Sequence, residues 1–195
     1  MVKKIIYLVL FIVLSSCTNT QKKDNIETKK GKVENSIVNE VQMRSEILLS
    51  NKVEISLTSD FTKMREDDVK VIYPEPKRRP DVIFRNGDGT VNISLQHTKK
   101  KALLSELPNI FEQLTSQYKS NPTIEFINSR IENINDKDYV VLEFISQGEN
   151  KKVYNLMLIT SLEERVMMSA FTCAMPVIND WKETGNRLIR TIKIL

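Results

Sequence analysis

The stretch Asp138-Tyr139-Val140-Val141-Leu142-Glu143-Phe144-Ile145-Ser146-Gln147, then Gly148-Glu149-Asn150, then Lys151-Lys152-Val153-Tyr154-Asn155-Leu156-Met157-Leu158-Ile159-Thr160, decides the fold. Two ten-residue runs rich in apolar and β-branched residues, separated by turn formers, predict two antiparallel strands joined by a short connection. Val140, Leu142 and Phe144 fall on one side of the first strand, and Tyr139, Val141 and Ile145 on the other. A strand apolar on both faces has to be covered on both, so the pair belongs inside a sheet.

Outward from this pair, residues 123–133 and 165–173 complete a four-strand meander, with Asn135-Asp136 and residues 161–164 as the outer turns. Upstream, residues 52–57 alternate Val53, Ile55 and Leu57 with polar partners, the period of a half-buried strand. Residues 62–71 predict a short helix after Asp60-Phe61. Residues 81–86 and 90–98 predict a hairpin whose Asn86-Gly87-Asp88-Gly89 turn supplies residues tolerant of positive φ. In residues 105–119, Leu107, Ile110, Phe111, Leu114 and Tyr118 share a helical face, with Ser105 as cap and Pro108 in the first turn. A last helix runs from Pro176 to about Ile192 with Val177, Trp181, Leu188 and Ile192 inward. No regular βαβ alternation is present, so the fold class is α+β, with helices packed on a largely antiparallel sheet.

Residues 1–16 have the order of a secretory signal: Lys3 and Lys4, an apolar run over residues 5–14, then small residues. A run of this length is too short to span a bilayer, which takes roughly 20 apolar residues. Leu14-Ser15-Ser16-Cys17 resembles a bacterial lipobox, which implies cleavage before Cys17 and lipid on its sulfur. Several acyl chains would hold firmly, at about 0.8 kcal/mol per buried methylene. Residues 17–47 then form a lipidated start and a polar tether without aromatic residues, spanning about 30 Å if flexible. Val33, Ile37 and Val41 carry a weak helical repeat. Residues 48–195 make one domain.

Loss of Lys3 and Lys4 takes the formal charge from +4 to +2, and from Leu48 onward 21 Lys and Arg face 20 Asp and Glu. So even a balance gives no support to nucleic-acid binding. With Cys17 lipidated, Cys173 has no partner within the chain, and its apolar strand predicts a buried, inert thiol.

The element order, with Asp60-Phe61, the Tyr73-Pro74 to Arg79-Pro80 loop, the Asp88-Gly89-Thr90-Val91-Asn92-Ile93 strand entry and Phe171-Thr172-Cys173 before a Trp181-bearing helix, resembles the PsbP-like fold. That fold is shared by an extrinsic photosystem II subunit, a Ran-binding import factor, and bacterial lipoproteins and effector chaperones. One departure is Thr58-Ser59, where such proteins often carry a proline. The resemblance covers residues 51–195 and implies a binding role toward another protein, without catalysis.

The residues themselves offer little chemistry. His97 is the only histidine and sits in phase with Val91, Ile93 and Leu95, a structural or rim position. No His or Cys pair has metal-ligand spacing, Asp88 lacks the rest of a calcium loop, and five glycines leave no phosphate-binding fingerprint. Glu163-Glu164 reads as an exposed turn. The densest basic patch is Lys77-Arg78-Arg79 with Arg85 nearby, on a proline-stiffened loop suited to an acidic protein face or lipid headgroups. The reading is therefore a lipid-anchored, non-catalytic binding or adaptor protein with no small-molecule cofactor. Its partner would be an envelope or secreted protein, and Thr18, in place of an aspartate, favours the periplasmic face of the outer membrane. A toxin- or effector-binding immunity or chaperone-like protein is one alternative, and an envelope hydrolase working through His97 another.

Overall fold

In a computed structural model, residues 43–147 and 151–195 are described. Residues 1–16, Cys17, the tether up to residue 42 with its Val33, Ile37 and Val41 repeat, and the Gly148-Glu149-Asn150 turn lie outside the described residues.

The elements are β1 (Met43–Leu48), β2 (Val53–Thr58), β3 (Phe61–Lys63), α1 (Glu66–Ile72), β4 (Val82–Asn86), β5 (Val91–Lys101), α2 (Leu107–Lys119), β6 (Ile124–Ile134), β7 (Lys137–Gln147), β8 (Lys152–Leu162), β9 (Arg165–Ala174), α3 (Ile178–Ile189) and β10 (Lys193–Ile194). Seven strands form one antiparallel sheet in the order β3-β4-β5-β9-β8-β7-β6, and β1-β2-β10 form a second. The meander and the hairpin meet where β5 pairs with β9, Val91 opposite Cys173. β7 and β8 each have a neighbour on both sides, as their two apolar faces require. This is the α+β architecture, and no helix among the described residues is long and apolar enough to cross a membrane.

The sheet's two faces bury different cores. On the first, Phe84, Ile93, Phe171, Leu156, Tyr139 and Val141 pack against Leu188, Ile189 and Ile192 and against Val53, Ile55 and Leu57 of the small sheet. Gly185 makes this contact possible: a Cβ there would lie 2.1 Å from the Phe171 ring. On the second face, Val140, Leu142, Phe144, Met157 and Ile159 meet Leu107, Leu114 and Tyr118 of α2. Each such large side chain taken out of water contributes about 1.5–3 kcal/mol.

Several boundaries differ from the sequence reading. The folded region begins by Met43 and not at Leu48, because β1 pairs along its whole length with β2, Met43 opposite Thr58 and Leu48 opposite Val53. The helix expected over residues 62–71 gives its start to β3, where Phe61 is buried opposite Asn86. α1 begins four residues later, at Glu66-Asp67-Asp68, where carboxylates suit the positive end of the helix. Ser105 does not cap α2. It lies in a single turn, Leu104–Glu106, closed by the Glu106 carboxylate accepting the Leu103 N–H (2.7 Å), and Pro108 follows in the first turn of α2. The last helix stops at Ile189 because the Thr191 hydroxyl donates to the Leu188 carbonyl (2.7 Å) and accepts the Ser56 N–H (2.9 Å), steering the chain into β10.

The β4–β5 turn uses one positive φ, at Gly89 (69°), whose N–H donates to the Asn86 carbonyl (3.0 Å), and Gly87 does not need it. The buried Asn86 side chain closes the loop, accepting the Val91 N–H (3.0 Å) and donating to the Thr90 hydroxyl (3.1 Å).

Candidate functional site

Three prolines hold the basic loop between α1 and β4. Pro76 opens a single turn, Pro76–Arg78, and Pro80 is buried at the loop's exit. The Arg79 guanidinium donates to the Tyr73 carbonyl (3.0 Å) and the Pro74 carbonyl (3.2 Å) of its own loop. From the sheet, buried Gln96 donates to the Lys77 carbonyl (3.3 Å) and the Arg79 carbonyl (3.0 Å). The loop is thus fastened through its backbone, and the fastening leaves side chains pointing out. Arg78 is exposed and pairs with Glu75 (3.0 Å), and Lys77 is exposed with no side-chain partner among the described residues.

Arg85 is not part of this loop. Its Nε donates to Asn92 Oδ1 (2.8 Å), and Asn92 in turn donates to the Thr172 hydroxyl (3.4 Å). Asn92 and Gln96 are four residues apart on β5, about 13 Å at strand spacing, so the sheet separates the two basic positions. Arg85, Asn92, Thr172 and Asn155 instead form one row across β4, β5, β9 and β8, set by the register. Asn155 donates to the Ser146 hydroxyl (3.0 Å) and to the Val153 carbonyl (2.8 Å). A cleft of about 420 Å³ opens at this end of the sheet, over Asn92 and Thr172 and against Met175, Pro176 and Val177.

The remaining candidates are tied into the fold. His97 is half-buried, its Nε2 lies 2.8 Å from the Leu162 carbonyl, and Asp81 accepts from its backbone N–H and not from the ring. Among the described residues no hydrogen bond joins that ring to a carboxylate or hydroxyl. Cys173 is buried against α3, and burial, with a smaller contribution from the charge of Asp180, pushes its thiol up to about 11. It stays a thiol at neutral pH. Asp88 is exposed on the hairpin, and no group of three or more His, Cys, Asp or Glu among the described residues is placed to hold a metal ion. Glu163 and Glu164 form a two-residue turn with both φ positive (49° and 56°), and Glu163 pairs with Lys52 (2.6 Å) and Arg165 (3.4 Å). Inside the first face, Glu143 accepts from Tyr154 (2.8 Å) and Lys182 (2.9 Å). Burial alone would raise the Glu143 carboxyl, and these two donors outweigh it and hold it below its ordinary value.

Gln96 and Asn155 went unnoticed in the sequence, and Asn92 and Thr172 entered there only within motifs that carry the fold resemblance. For β5 the clue was present: Asn92, Ser94 and Gln96 alternate with Val91, Ile93 and Leu95, so the second face of this strand could not be ordinary apolar core.

An antiparallel sheet with a helix on each face and a small sheet beside the helix on one of them defines a known class of α+β domain. The solution structure of cyanobacterial PsbP from Synechocystis has a TM-score of 0.55 at 13% identity, covering 84% of this chain and 98% of that one. LpqN of Mycobacterium tuberculosis, described as involved in cell envelope biogenesis, has a TM-score of 0.52 at 10% identity, covering 80% and 92%. A Bacteroides thetaiotaomicron protein has a TM-score of 0.50 at 16% identity, covering 77% of this chain and 48% of its own. No family model and no curated protein sequence matches the chain. At such identities the likeness is one of fold, and the fold is PsbP-like.

Proposed function

We propose that this chain is an envelope lipoprotein, anchored through lipid on Cys17, whose domain is a non-catalytic binding or adaptor module. Its recognition element is the Lys77–Arg78 corner of the basic loop, and its partner is an envelope or secreted protein with an acidic face. The observation that carries this reading is the Gln96 clamp on the Lys77 and Arg79 carbonyls, because a contact loop already fixed in place loses little entropy on binding. His97 and Cys173, the side chains most suited to catalysis, are engaged in the fold, which favours binding over chemistry. The lipobox-like Leu14-Ser15-Ser16-Cys17 supports the anchor, and Thr18 favours the periplasmic face of the outer membrane. LpqN lends the fold an envelope precedent.

The test is purification of the lipidated protein from membranes beside a Lys77→Glu/Arg78→Glu variant. Arg79 is left intact because it holds its own loop. Loss of a partner from the variant alone is expected, and retention of every partner defeats the basic-corner reading. For the anchor, Cys17→Ser should abolish acyl labelling and release the protein from the membrane fraction, and continued labelling contradicts it.

A further inference from the structure

A second pocket, lined by no residue of the basic loop, lies between α2 and the far end of β5. Open to solvent on one side, it holds about 150 Å³ over an apolar floor of Leu114, Ile159 and Val166, with Asn109 and Gln113 of α2 also in its wall. Its cationic rim comes from a local irregularity: His97 pairs with Met167 and Lys101 with Arg165, so β5 carries extra residues between them. In this bulge the Lys100 N–H turns to the Thr98 hydroxyl (3.1 Å), which itself donates to the Val166 carbonyl (3.1 Å). Bulges re-aim side chains in this way. Both Lys100 and Lys101 line the pocket.

Neither lysine makes a side-chain hydrogen bond or an ion pair among the described residues. Lys100 is half-buried, and that burial lowers its pKa with no carboxylate to offset it. Glu106, the acid lining the same pocket, accepts the Leu103 N–H (2.7 Å) and makes no ion pair with either lysine. An apolar floor beneath unpaired ammonium groups is complementary to an anion with a compact apolar body. Size narrows the choice, since an apolar cavity of roughly 150 Å³ accommodates a benzene ring whereas drug-sized ligands take about 300 Å³ or more.

We propose that this pocket binds a small monocarboxylate bearing an aromatic or short branched apolar group, its carboxylate on Lys100 and its apolar part on Leu114, Ile159 and Val166. This inference is independent of the basic corner, because it uses no residue of that loop.

The probe is benzoate, titrated into the ¹⁵N-labelled whole chain with acetate and benzyl alcohol as partial mimics. Benzoate should shift the Ala102, Leu114 and Val166 amides saturably, in the high micromolar to millimolar range fitting so small a ligand. Both mimics should bind about tenfold more weakly or worse. Lys100→Met should weaken benzoate by a similar factor while leaving distant amides unmoved. Lys100→Arg should restore most of the affinity, and Lys77→Glu/Arg78→Glu should change nothing. No saturable shift by about 100 mM benzoate overturns the proposal, that concentration being well beyond the expected range. So does benzyl alcohol binding as well as benzoate, or Lys100→Met without effect.

Discussion

The two faces of the seven-stranded sheet are made by the same strands and differ in how they are covered. The face under α3 and the small sheet is closed by close approach, with Gly185 against Phe171 and Trp181 edge-on to Phe61 at 5.6 Å. The face under α2 is only partly helix-covered. Apolar rows meet α2 at the β7 and β8 side, while the β4, β5 and β9 side carries Arg85, Asn92, Gln96 and Thr172, the clamped loop and the lysine-rimmed pocket. One face is packed mainly by apolar side chains. On the other, buried Gln96 holds the loop from which Lys77 extends, and Lys100 and Lys101 extend from the end of β5, all three without side-chain partners among the described residues. That is the arrangement the proposed binding role requires.

Breaking the closed face should have the largest effect. Gly185→Ala puts a methyl into the Phe171 ring and should cost about 3 kcal/mol or more, or prevent folding. Gly87→Ala, with nothing within 4 Å, should stay close to wild type in the same urea titration. A near-wild-type midpoint for Gly185→Ala would show that α3 is not held as close to β9 as described.

Leucine truncation on each side sharpens the contrast. Leu188→Ala should fall toward the upper part of the usual range, about 4–5 kcal/mol, and Leu114→Ala toward the lower, about 2–3 kcal/mol. The difference arises because Leu114 already borders open space. Equal costs would mean that the α2 face is packed as tightly as the other.

Much of this contrast is present in the residues. Val140, Leu142 and Phe144 against Tyr139, Val141 and Ile145 announce a two-sided core, and alternation in residues 91–96 announces a polar second face at β5. Gly185 was legible too, since Trp181, Gly185, Leu188 and Ile192 fall on one helical stripe, and a glycine there implies close approach. The clamp was not legible. It depends on Gln96 meeting the carbonyls of residues 17 and 19 positions earlier, a contact set by tertiary placement of the loop. The lysine-rimmed pocket hides for the same reason, because a bulge alters which way Lys100 lies without changing the composition. Arg85 was grouped with Lys77, Arg78 and Arg79 through nearness in sequence, and the extended strand carried it elsewhere.

A smaller effect tests how α3 is tied to the edge of the sheet. Arg190 holds Glu132 of β6 in a two-point pair (2.8 and 3.1 Å), with Arg130 beside it (2.7 Å). The hydrogen bond from Arg190 is the largest cause holding the Glu132 carboxyl below its ordinary value, with burial opposing. A depressed carboxyl contributes stability that is present above its unfolded pKa, about 4.3, and lost as pH falls through the folded value. Arg190→Gln should cost about 1–2 kcal/mol at pH 7 and should lose less than wild type on acidification below about pH 4. Parallel acid limbs in urea midpoints would contradict the pairing.

Smallest is the turn between β8 and β9. Glu164 sits at φ 56°, a region costly to residues with a Cβ, and it keeps no ion pair there among the described residues. Glu164→Gly should stabilise by about 0.5–1 kcal/mol in thermal unfolding, whereas the Asn135-Asp136 turn, already of favoured type, should gain less from Asp136→Gly.

The proposal that recognition belongs to the α2 side is tested most directly by site-specific photo-crosslinking of the whole chain in cells. One photoreactive residue is placed at Lys77 and another at Ser45, on the exposed surface of the small sheet that covers the opposite face. The account predicts a discrete adduct from position 77 that disappears with Arg78→Glu, and none from position 45. An adduct from position 45 alone, or a position-77 adduct indifferent to Arg78→Glu, would contradict it.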